Sequence, residues 1–167
     1  MSCLGVHFAL TAEDVAALRA RDDERERLSF LQEELEERYM ADPKTYAAES
    51  DKSWDAMHRA LSDGKLSWDG GSFPLNHVVL GGELLYTDDD YIMSLKTPEQ
   101  VQAVAAALEA LTETDFRARY DRIDVGSYDG EVGDEDFEYT WSWLQGVREL
   151  FTRAAAEKRY VLFTADQ

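Results

Sequence analysis

The densest run of reactive side chains in the chain is Lys52-Ser53-Trp54-Asp55-Ala56-Met57-His58. On a helix, Trp54 and His58 stand four residues apart and Asp55 and His58 three apart, so neighbouring groups can touch. A carboxylate that holds an imidazole in one tautomer makes a general base: Asp55 would orient His58, and His58 would take the proton. Tyr91 and Tyr128, from other segments, are candidate walls that could donate a hydrogen bond. Together these residues would form a small-molecule or hydrolase-like pocket. The same residue types also suit a buried network, in which Trp54 anchors the helix, His58 is satisfied in the core and Asp55 pairs with Arg59 or Lys52. No serine sits in a Gly-x-Ser-x-Gly elbow, so a nucleophilic triad gains nothing here.

Other chemistries find less. His7, His58 and His77 are scattered, with no His-x-x-x-His or His-Glu-x-x-His pair to hold zinc. The acidic loop Asp129-Gly130-Glu131-Val132-Gly133-Asp134-Glu135-Asp136 lacks the alternating acids of a calcium loop, and reads as a solvated lead-in to a helix N-terminus. Gly70-Gly71 and Gly81-Gly82 have no phosphate-binding spacing. Cys3 has no cationic neighbour in sequence to make a thiolate. No cofactor and no metal are implied.

Charge is the stronger signal. The 167 residues carry 35 Asp+Glu against 17 Lys+Arg, a formal net charge of −18. That balance argues against a phosphate-tracking nucleic-acid binder and against docking on anionic membranes. It favours a non-enzymatic binding or regulatory module, immunity-like, that meets a basic protein partner through an acidic surface. The acids concentrate in Asp22–Glu37, in the turn Asp88-Asp89-Asp90 and in Asp129–Glu138, with Asp134, Glu135 and Asp136 as further candidate interface residues. If these segments converge in space they form an interface; if they scatter, the charge is solvation. A single cysteine excludes an internal disulfide, and Met1–Leu10 lacks the basic start of a secretory leader, so a cytoplasmic setting is expected.

The elements that must position these residues read as one domain over residues 1–167. A strand is expected at Gly5–Leu10, then a short helix capped by Thr11 with Asp14 as its capping-box acid. A longer helix spans about Asp23–Tyr39, with Pro43 as the break after it. A third covers about Asp51–Leu61. Glycines 64, 70 and 71 with Pro74 mark a loop, followed by the apolar stretch Leu75–Leu80. Glu83–Tyr86 and Tyr91–Leu95 read as a hairpin. Thr97-Pro98-Glu99-Gln100 is the clearest helix start in the chain. Thr114 is expected to cap a shorter helix, about Asp136–Lys158 forms a long one, and Tyr160–Thr164 closes as a strand.

Four of these segments resemble the YfbM-like family of bacterial proteins. They are Lys52-x-Trp54-Asp55-x-x-His58, Pro74-Leu75-x-x-Val78-Val79-Leu80-Gly81, Thr97-Pro98-Glu99-Gln100-Val101, and a tail with Tyr128, a long helix, an Ala-rich end and a closing strand. The likeness runs from Gly5 to Thr164. Asp129 departs from it, standing where a proline commonly follows the tyrosine, and His77 answers to no family requirement. The resemblance implies an α/β (α+β) fold: a single three-layer α/β/α domain with a small mixed β-sheet and helices on both faces. It supplies no activity.

Overall fold

The computed structural model describes residues 3–41 and 46–167. Its elements are β1 (Gly5–Leu10), α1 (Ala12–Arg19), α2 (Glu24–Phe30), a π-helical segment (Leu31–Leu35), α3 (Glu36–Ala41), β2 (Ala47–Asp51) and α4 (Trp54–Leu61). After a loop containing a 3₁₀ turn at Leu75–His77 come β3 (Glu83–Leu84), β4 (Tyr91–Lys96), α5 (Pro98–Ala110), α6 (Glu113–Tyr120), α7 (Asp134–Ala156) and β5 (Tyr160–Asp166). Pro43, the expected helix break, lies outside the described residues. Among the described residues no helix is long and apolar enough to cross a membrane.

The five strands lie in the order β2-β1-β5-β4-β3. Every pairing is antiparallel, so the sheet is not the mixed one expected. The reason lies in the connections. Lys96, the end of β4, pairs with Val161 near the start of β5, so α5 to α7 together make an excursion that returns to the same end of the sheet. A single crossover helix would have brought the chain back parallel.

Alternation along the strands sends side chains into two apolar layers. Phe8, Leu10, Met93, Leu95 and Leu162 face α1, α2, the π segment and α3. Ala9, Ile92, Val161, Phe163 and Ala165 face α4 to α7. The three-layer arrangement with helices on both faces follows directly.

Local chemistry explains most helix starts. Thr97 and Gln100 form a complete capping box, the Gln100 N–H donating to Thr97 Oγ1 at 3.3 Å and the Thr97 N–H to Gln100 Oε1 at 2.9 Å. α6 is capped two residues earlier than expected: Thr112, with Asp115 three residues on, forms the box in place of Thr114. Thr11 caps α1 by accepting from the Asp14 N–H, but the Asp14 carboxylate turns away to Tyr39 Oη at 2.5 Å and Arg38 at 2.8 Å. That pair ties α1 to α3.

The register also gathers four strand ends. Gly5 pairs with both Asp51 and Ala165, and Tyr91 pairs with Asp166. One end of the sheet therefore presents the start of β1 and β4 beside the end of β2 and β5. Gly5 is needed there, because a Cβ would sit 2.7 Å from Ser50 Oγ and 2.8 Å from the Trp54 ring.

Candidate functional site

α4 is amphipathic and almost wholly buried. Trp54 packs on Phe163 and donates its indole N–H to the Cys3 carbonyl at 2.8 Å. Asp55 accepts from Arg59 Nε at 2.6 Å. The Arg59 guanidinium also donates to Ser127 Oγ at 2.8 Å and to the Ser127 carbonyl at 3.0 Å, with the Tyr128 ring 5.4 Å away. His58 points elsewhere. Its Nε2 lies 2.8 Å from the Ser67 carbonyl, which can only accept, so Nε2 carries the proton. Nδ1 then accepts the Leu80 N–H at 3.5 Å.

Of the two readings of this helix, the Asp55–His58 dyad is not formed and the buried network is: Asp55 pairs with Arg59, and His58 is a separate, main-chain-bound histidine. The spacing permitted both partners, and the guanidinium offered Asp55 a charged one. His58 is fully buried. Burial pulls its pKa down to about 4, with both ring nitrogens already engaged. An imidazole so placed holds a loop in position and has no free nitrogen for a substrate proton.

That loop is the segment from Leu75 to Gly81, an irregular stretch packed inside the protein. Irregular backbone inside a core needs partners for its polar groups. They come from side chains on the sheet. His7 Nε2 sits 2.7 Å from the Val78 carbonyl, Lys96 Nζ donates to the Val79 carbonyl, and Ser94 Oγ donates to the Leu80 carbonyl at 2.7 Å. Three successive carbonyls are therefore served by β1 and β4. Burial lowers the pKa of His7 to about 3, the nearby Lys96 charge adding to the effect, and burial alone lowers that of Lys96 well below its ordinary 10.5. Lys96 and Ser94 alternate with Ile92 on one strand face, a pattern that resembles a solvent side.

An open cleft lies at the gathered sheet end. It measures about 490 Å³ and is floored by Val6, Tyr91 and Thr164 and roofed by Gln32, Glu36 and Met40. Glu36, Glu49, Asp51 and Asp166 contribute carboxylates and Trp143 a second aromatic wall, and among the described residues no lysine or arginine lines it. Gln32 lies in the π segment and Glu36 directly follows it, so the extra residue in that turn falls beside the cleft. Burial first, then the Asp166 charge, raises the Glu36 pKa above its ordinary 4.5. Burial pushes Tyr91 up to about 12, with the charges of Glu36 and Asp166 acting the same way. Tyr139, in α7, hydrogen-bonds Asp51 on the rim.

Beside this cleft is a groove of about 330 Å³ that shares Tyr91 as a wall. Trp54, Asp88 and Asp89 line it too, so four of the sequence candidates meet there. Tyr128 does not join them: it donates to Asp136 at 3.0 Å, and Tyr120 donates to the same carboxylate at 2.5 Å. Asp136 is consequently turned inward as an acceptor for two phenols and is not a free interface charge. Asp134 pairs with Arg117 at 2.9 Å. Glu135 is exposed. Asp88 and Asp90 both meet Arg25 of α2, at 3.1 and 3.2 Å, and Glu24 accepts from Thr87 at 2.8 Å.

The acidic helix and the Asp88–Asp90 turn therefore converge. The third segment opens α7, the helix whose Trp143 lines the cleft. Glu36 belongs to the acidic stretch visible in the sequence, whereas Glu49, Asp51 and Asp166 come from strand ends that only the fold brings together. Among the described residues no group of three or more His, Cys, Asp or Glu is arranged to hold a metal ion.

Comparison with known proteins places this architecture. A solved structure described as a protein of unknown function, YfbM from Escherichia coli, superposes with a TM-score of 0.67 at 19% identity. The match covers 97% of this chain and 99% of that one, and it supports the fold. No curated protein matches. A family model described as a domain of unknown function, DUF1877, matches residues 1–164, and the chain belongs to that family.

Proposed function

We propose that this protein is a binding module that receives a cationic side chain of a basic protein partner in the cleft at the sheet end. The observation that carries this reading is the cleft's lining: four carboxylates and two aromatic rings, with no lysine or arginine among the described residues. Carboxylates and aromatic faces together recognise a guanidinium or ammonium, through charge-assisted hydrogen bonds and cation–π attraction. The carboxylates are too dispersed to close around a metal ion, which favours an extended organic cation. A net charge of −18 would steer a basic partner from a distance, and salt would weaken that steering.

The test uses a hexa-arginine peptide as the probe, titrated by calorimetry at about 20 mM and about 300 mM salt. Glu36→Gln with Asp166→Asn removes two cleft charges. Glu109→Gln with Glu113→Gln removes two exposed charges outside it. The reading expects about tenfold weaker binding for the cleft pair and less than about twofold for the control pair. Equal losses for both pairs, or no binding by the wild type at low salt, would overturn it.

A further inference from the structure

The groove next to the cleft carries an unusual concentration of exposed apolar surface. Leu66 is 39% exposed, Trp68 46% and Leu84 37%, and all three line this one groove. Leu66 and Trp68 come from the loop after α4, and Leu84 from the edge strand β3. Leu80 and Ile92 join them in the lining, and Asp88 and Asp89 form one lip. Exposed aromatic and aliphatic residues gathered in a concave site, rather than scattered, mark a place where another chain docks.

We infer that this groove seats the apolar anchor of the same basic partner: a segment with a leucine- or aromatic-type residue flanked by lysines or arginines. The inference rests on the cleft reading above, because Tyr91 walls both cavities and makes them neighbours. Charge selects the occupant. Asp88 and Glu83 already pair with Arg25 and Arg19, so Asp89 on the lip, together with the net charge of −18, is what disfavours the like-charged surface of a second copy. The same negative charge favours cations on either side of an apolar residue. Arginines of the helical layer flank the strand edge: Arg19 meets Glu83 at 2.9 Å, and Arg27 donates to the Leu85 carbonyl, just beyond β3, at 3.2 Å. Recognition there runs through side chains.

The experiment compares three peptides on the whole protein: hexa-arginine, and two five-residue peptides of four arginines around a central leucine or a central serine. Wild type is expected to bind the leucine peptide about tenfold more tightly than the serine peptide, the worth of one buried aliphatic side chain. Trp68→Ser with Leu84→Ser, both at exposed positions, should erase that preference and leave hexa-arginine binding intact. If wild type fails to distinguish leucine from serine while still binding hexa-arginine, the groove inference falls and the cleft reading stands. If hexa-arginine does not bind at all, the cleft reading fails. Concentration-dependent dimerisation in sedimentation, abolished by the Trp68→Ser and Leu84→Ser pair, would replace the partner with a second copy and also overturn the inference.

Discussion

Lys96 is fully buried in β4, and its Nζ donates to the main-chain carbonyl of Val79, with a second acceptor in the Ser94 carbonyl at 3.2 Å. The Phe163 ring lies 5.7 Å from the nitrogen, and the contacts around it are carbonyls and rings. An ammonium in such a place bears a desolvation cost that carbonyl dipoles offset only in part. The residue is retained where its donor closes the backbone of a buried loop.

The pH dependence of stability follows from that placement. Burial lowers the folded-state pKa of Lys96 below 10.5, so between the two values the unfolded chain holds a proton that the folded chain lacks. Stability from this group therefore rises with pH and levels off only above about pH 10.5. Lys96→Met has no such proton. Denaturant unfolding of both proteins from about pH 7 to about pH 10 should show the difference moving steadily toward the wild type. Parallel curves would mean that Lys96 keeps its charge in the folded protein.

The histidines act on the acid side. His7 falls to about 3 and His58 to about 4, each from 6.5, because both are sealed as neutral rings. Their contribution is complete above pH 6.5 and declines as pH falls, until the folded rings protonate near those lower values. Each adds up to about one proton of uptake on unfolding in that window, or about a tenfold drop in the folding constant per pH unit. His58→Gln keeps an N–H for the Ser67 carbonyl and removes the titration. Between about pH 4.5 and about pH 6 its stability should fall less steeply, by about one proton. An unchanged slope would place the His58 proton elsewhere.

What could be read in the sequence was local. The Thr97–Gln100 capping box and the long α7 stripe depend on neighbours along the chain and stand where expected. β2 was invisible, because Ala47-Ala48-Glu49 carries no alternation and its pairing is imposed by β1. Lys96 and Ser94 were missed for a related reason: polar residues on alternate strand positions look solvent-facing until a buried loop demands their donors. Trp54, Asp55 and His58 lie on one helix, as their spacing predicts. Which partner each took was settled by what surrounds them, Ser67 and Leu80 for His58 and the Arg59 guanidinium for Asp55.

The Asp55–Arg59 pair gives a direct measure of that choice. Arg59 has only 5% of its side chain exposed and Asp55 27%, so Asp55→Ala leaves a buried guanidinium with only Ser127 to satisfy it. The loss should be about 3 kcal/mol in chemical denaturation. In an Arg59→Met background the same substitution should cost under about 1 kcal/mol, and in a His58→Gln background it should keep its full cost. Coupling to His58 instead of Arg59 would restore the catalytic-dyad geometry that the residue spacing allows.

Two buried serines separate a hydroxyl that satisfies backbone from one that does not. Ser94 Oγ donates to the Leu80 carbonyl at 2.7 Å and lies 3.3 Å from that of Gly81, whereas Ser50 Oγ is buried with no hydrogen-bond partner among the described residues. Removing the first leaves a buried carbonyl short of a donor, which costs about 1–3 kcal/mol; removing the second abandons no partner. Ser94→Ala should therefore lower the unfolding midpoint clearly, while Ser50→Ala should be neutral or stabilising. Hydrogen exchange adds the location: the amides of the Leu75–Gly81 loop should lose protection in Ser94→Ala and keep it in Ser50→Ala. Equal effects from the two variants would show that the loop is held by its apolar contacts alone, and that the donors from β4 follow its shape without setting it.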